Sequence, residues 1–71
     1  MIYTEIILKR TPGGKRVESI HKAFGNKDKD KVIESECFGK HVVWDLPNKK
    51  ATWWYVGNPN EKTTTDILFK N

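Results

Sequence analysis

Apolar and polar positions alternate most clearly between His41 and Val56, in the stretch HVVWDLPNKKATWWYV. Two apolar runs flank Leu46-Pro47-Asn48-Lys49-Lys50, a segment with turn chemistry: proline presets φ, asparagine tolerates a turn, and lysines hold a tip in water. The pattern predicts a β-hairpin with a loop over Pro47 to Lys50. Leu46 then stands opposite Ala51, Trp44 opposite Trp53, Val43 opposite Trp54 and Val42 opposite Tyr55. Successive strand side chains point to opposite faces. One face therefore carries Val42, Trp44, Leu46, Ala51, Trp53 and Tyr55, and is the expected core face. The other carries His41, Val43, Asp45, Thr52, Trp54 and Val56. All three tryptophans of the chain lie in this hairpin.

The same reading extends to both sides. Residues 2–10, IYTEIILKR, are short and β-branched, which predicts a strand with Ile2, Thr4, Ile6 and Leu8 on one face. Thr11-Pro12-Gly13-Gly14-Lys15 is a strong turn signal, with Gly13 or Gly14 expected at positive φ. Residues 15–24 should then return antiparallel. A helix is the rival there, because Val17, Ile20 and Phe24 recur at helical spacing before Gly25-Asn26. The strand is preferred, since two glycines make a poor helix start. Asn26 to Lys31 reads as a solvated loop. Residues 32–38 alternate, with Ile33, Ser35 and Cys37 on one side, although a short helix over 30–38 fits nearly as well. Gly57-Asn58-Pro59-Asn60 is a second turn, and Thr63 to Phe69 closes the chain as a strand.

These elements define the expected fold class as mainly β: a small antiparallel sheet of five to six strands, curled or barrel-like. The alternative is an α+β sheet with one helix at 15–24 or 30–38. At 71 residues the chain is expected to form a single small domain. So short a chain buries only about 60% of the surface its unfolded form exposes, which makes large aromatics valuable in the core.

Composition narrows the setting. Cys37 is the sole cysteine, so no intramolecular disulfide can form. The N-terminal residues lack a basic-then-apolar leader pattern, and no apolar run reaches the roughly 18 residues of a membrane span. A reducing, cytoplasmic location and no membrane association are the expectation. The formal charge of +4 favours an anionic partner.

Candidate chemistry is sparse. Asn26-Lys27-Asp28-Lys29-Asp30 imitates the start of a calcium loop, but Lys31 stands where the turn needs glycine and Cys37 where a bidentate glutamate belongs. Cys37, His41 and His21 fall short of a structural zinc set, so no metal and no cofactor is expected. A Cys37, His41 and Asp45 or Glu36 arrangement could be drawn for nucleophilic catalysis, but a chain of this size leaves little room for a walled cleft. No catalytic residue is assigned, and a non-enzyme is expected.

The combination of aromatic and basic residues carries more. Single-stranded nucleic acid is held by bases stacked on exposed rings while lysine and arginine meet phosphates. Trp54 lies on the face opposite Trp44 and Trp53, beside His41. Lys49 and Lys50 mark one hairpin tip, and Lys9, Arg10, Lys15 and Arg16 flank another. These residues are the expected binding set of a non-catalytic module for an anionic macromolecule, most plainly nucleic acid. The first alternative is a small inhibitor or adaptor, of the phage or mobile-element type, that blocks a host enzyme through an exposed tryptophan. The second is a small metal-free ribonuclease or toxin built on His21 or His41.

Overall fold

In the computed structural model the described residues are 1–10, 13 and 17–70, without the side chains of Lys9, Arg10 and Val17. They contain seven strands: β1 (Ile2–Arg10), β2 (Val17–Phe24), β3 (Val32–Cys37), β4 (Lys40–Asp45), β5 (Lys50–Tyr55), β6 (Thr63–Asp66) and β7 (Leu68–Lys70). No α-helix occurs among the described residues. Over its described residues, 17–24, the first helical alternative gives way to β2, the alternative at 30–38 gives way to β3, and Asn26–Asp28 forms a short 3-10 turn. No helix among the described residues is long and apolar enough to cross a membrane.

The strands form two antiparallel sheets, ordered β2-β1-β7 and β3-β4-β5-β6. The expected single curled or barrel-like sheet is thus corrected to two sheets that do not close. The reason lies in the last segment. It was expected to be one strand, but it divides at Ile67: Thr63 to Asp66 pair with β5, and Leu68 to Lys70 pair with β1. The chain changes sheets at this residue, and the two sheets meet there.

The two inner faces share one core made of Ile6, Ile20, Phe24, Val42, Trp44, Leu46, Ala51, Trp53 and Ile67. Strand parity explains its membership. In β1, Thr4 and Ile6 are buried on the face that the alternation marks out, and Thr4 Oγ1 donates to Lys22 O at 3.0 Å. In β3, Ile33 and Cys37 pack against the core, while Ser35 Oγ accepts a 3.0 Å hydrogen bond from Trp44 Nε1. Trp44 is fully enclosed, with the Phe24 ring edge-on at 5.5 Å. Such a pair adds about 0.5–1.5 kcal/mol to what burial alone provides.

The central hairpin keeps its faces but not its register. Asp45 pairs with Lys50, Trp44 with Ala51 and Val42 with Trp53. The loop is therefore Leu46 to Lys49, closed by Lys49 N donating to Leu46 O at 3.2 Å, with Lys49 at φ 58°. Asp45 explains the placement: its carboxylate accepts from Asn48 Nδ2 at 2.9 Å and from Asn48 N at 3.4 Å. A two-residue slip leaves every side chain on its face. Tyr55 is the exception to the expected core face. It lies at the end of β5, opposite Lys40, and is 49% exposed.

Gly13 has φ 87°, as expected of the first turn; Gly14 lies outside the described residues. The β3–β4 reversal is tighter. Cys37 pairs with Lys40, leaving Phe38 and Gly39 as a two-residue loop at φ 50° and φ 75°. Positive φ at both positions is the signature of a type I′ hairpin turn.

Candidate binding surface

The outer face of the four-stranded sheet gathers part of the expected set. His41 and Trp54 are directly opposed on β4 and β5, and their rings stack at 4.7 Å with planes 30° apart. Lys62 Nζ lies 4.9 Å from the centre of the Trp54 ring. Trp54 is half-buried, so its π-system is already engaged by its own chain. On the other side of His41, Glu36 Oε1 is 3.5 Å from Nδ1 and Glu34 Oε1 is 3.7 Å from Nε2.

The cations of this face are committed as well. Lys50 sits within β5, and its ammonium is paired with Asp66. Glu34, Glu36, Asp45 and Asp66 all belong to the outer rows with Lys50, and Lys62 reaches this face over the Trp54 ring. Four carboxylates against two ammonium groups make the Trp54 face a poor match for phosphates. Lys49 projects from the hairpin tip at the far end of the sheet. Lys9 and Arg10 belong to β1 with side chains outside the description, and Lys15 and Arg16 lie outside the described residues. The structure therefore brings together His41 and Trp54, places Lys50 on the same face but at the hairpin-tip end of β5, and leaves Lys49 apart.

Cys37 and His41 do not converge. Cys37 faces the core side of β3, whereas His41 belongs to the outer face of β4. Neither a metal pair nor a nucleophile–base contact follows from that arrangement. Among the described residues no cluster of three or more potential ligands could hold a metal ion.

His21 lies on the outer face of the other sheet. Its Nε2 is 3.2 Å from Ser19 Oγ and 3.4 Å from Glu5 Oε1. In a Ser-His-acid relay the base uses one nitrogen for the hydroxyl and the other for the acid. Here the same nitrogen faces both, on an open sheet. Lys70 Nζ lies 2.8 Å from Glu5 Oε2, and this hydrogen bond is the main cause that holds Glu5 below the usual carboxylate range, against partial desolvation.

The most exposed aromatic is one that sequence reasoning passed over. Phe38 is 90% exposed at the β3–β4 turn. Val56 N donates to Gly39 O at 2.9 Å, which brings Val56 and Tyr55, both about half exposed, to the same pole. Beneath them Lys40 is buried, with Nζ 3.7 Å from Glu18 Oε1 and 5.4 Å from the centre of the Tyr55 ring. A signal was available in the sequence. In Cys37-Phe38-Gly39-Lys40, phenylalanine occupies the turn position where asparagine or aspartate is the ordinary choice.

Compared with protein-family models, with curated proteins and with solved structures, the chain matches none.

Proposed function

We propose that this protein is a non-catalytic module that binds a protein partner, as an inhibitor or adaptor, and that Phe38 is its principal anchor. The observation that carries the reading is the conformation of Phe38 together with its exposure. A bulky side chain in the left-handed region costs roughly 1–2 kcal/mol, and a ring left in water gains nothing from burial in return. Strain of this kind is retained where function needs it. Tyr55 and Val56 widen the patch, and aromatic anchors set in a small apolar surface are the usual hot spots of protein interfaces.

Nucleic acid is the second reading, and the stacked His41–Trp54 pair with Lys62 is what favours it. The carboxylates around that pair argue for the protein partner instead.

The decisive variant is Phe38→Asn. Asn-Gly is the preferred type I′ pair, so this protein should be more stable than the parent by about 1 kcal/mol, read from its denaturant midpoint. Its affinity for a partner captured from nuclease-treated lysate should fall by roughly 2 kcal/mol or more. Undiminished capture by Phe38→Asn would sink the reading. Capture that disappears on nuclease treatment, and that Trp54→Ala abolishes, would favour nucleic acid.

A further inference from the structure

A second recognition feature lies at the opposite end of β4 from Phe38. The Leu46–Lys49 hairpin tip, the loop after β2 and the ends of β1 and β7 enclose an open groove of about 410 Å³. Its floor is apolar: Ile2, Leu46, Pro47 and Phe69. Lys29 and Lys49 stand at its rim. This volume is within the usual range for ligand sites, about 300–1,000 Å³.

The groove is held by groups other than the side chains of those two lysines. Ile67 N donates to Lys49 O at 3.0 Å and ties the hairpin tip to the C-terminal segment. The loop that carries Lys29 is braced by Asp28, which accepts from Gly25 N at 3.2 Å and pairs with Lys31 at 3.5 Å. Lys31, Lys40, Lys50 and Lys70 each have a carboxylate within 4.0 Å, but Lys29 and Lys49 have none among the described residues. Two uncommitted cations beside an apolar floor suit a ligand with an apolar part and an anionic end.

Two further features narrow the ligand. Asp30 shares the rim, so the three charged groups sum to one net positive charge, which matches one carboxylate better than a doubly charged phosphate. β7 is the outermost strand of its sheet and contributes Phe69 to the groove. A strand edge offers backbone donors and acceptors that an extended peptide can satisfy and an acyl chain cannot.

We propose that this groove binds the free C-terminal end of an extended peptide, with the last apolar side chain on the Ile2–Leu46–Phe69 floor and the carboxylate between Lys29 and Lys49. The peptide adds its backbone to β7, and Asp30 accepts a backbone N–H from it. This goes beyond the Phe38 reading and does not depend on it, since the two sites share no residue.

The test uses the full chain, labelled with nitrogen-15, and randomised short-peptide pools, each with one fixed C-terminal residue, leucine, isoleucine, valine or phenylalanine. Each pool is made with a free carboxylate and as the amide. At least one free-acid pool should give saturable shifts in the amide signals of Ile2, Lys49 and Phe69. The matching amide should bind roughly tenfold more weakly or worse, because a charge-assisted contact is lost. Lys29→Ala combined with Lys49→Gly should reproduce that loss, and glycine keeps the left-handed position at residue 49 unstrained. Phe38→Asn should leave this binding unchanged. The proposal is overturned if no pool gives saturable shifts, if acid and amide bind alike, or if decanoate shifts the same signals as strongly as the best peptide pool.

Discussion

Thr65 and Trp53 each bury a polar atom, Oγ1 and Nε1, with no hydrogen-bond partner among the described residues. An unpaired buried hydroxyl carries a desolvation cost that valine, of the same shape, does not. Thr65→Val should therefore raise stability by about 1 kcal/mol, seen as a higher urea midpoint at unchanged slope. Glu5 gives a pH-dependent counterpart. Lys70 lowers the folded-state pKa of Glu5, so the stabilisation is present above the unfolded-state pKa and is lost as pH falls through the folded-state value. In Lys70→Met the Glu5 titration, followed by carboxyl carbon-13 shift, should move upward towards the ordinary carboxylate value. At this scale the sequence was partly legible. That Trp54 shares a face with His41 follows from counting residues along two strands. That Glu34 and Glu36 stand beside them depends on how β3 pairs with β4, which local pattern does not encode.

The hairpin shows what pattern fixes in an element and what it leaves open. Parity assigned Val42, Trp44, Leu46, Ala51 and Trp53 to the inner face, and all five are buried. Register was not legible, because loops over residues 46–49 and 47–50 satisfy the same parity. The choice rests on Asp45 reaching Asn48. The corner at Ile67 was equally hidden: Thr63 to Phe69 contains neither glycine nor proline to mark a break. The face assignment makes a graded prediction for the three tryptophans. Trp44→Ala removes a fully enclosed ring and should cost roughly 3–5 kcal/mol, a large part of the stability of so small a protein. Trp53→Ala should fall in the same range or a little below. Trp54→Ala loses a half-buried ring with its His41 stack and should cost least, about 1–2 kcal/mol. Denaturant midpoints would give the order, and Trp54 ranking above Trp44 would mean that the outer face is the real core.

For the molecule as a whole, the seam formed by β6, Ile67 and β7 decides whether the two sheets behave as one unit. β5 and β6 are near in sequence, but β7 pairs with β1, at the other end of the chain, as in Tyr3 with Lys70. Contacts that close so long a loop form late, because its entropy must be overcome before they contribute. Ile67 is buried at that junction and anchors the hairpin tip through Lys49. Ile67→Ala should cost roughly 2–5 kcal/mol at equilibrium. Most of that change should appear as faster unfolding, with little change in the folding rate, because a late contact has a small share in the transition state. Stopped-flow chevrons of the parent and the variant would measure this partition. Native-state hydrogen exchange would measure its reach: protection in β2 and in β4 should fall by the same amount if the seam couples the sheets. Loss of protection in β1, β2 and β7 alone would show that β3 to β6 form an independently stable unit, and that the shared core around Trp44 and Phe24 does not bind the two sheets into a single cooperative structure.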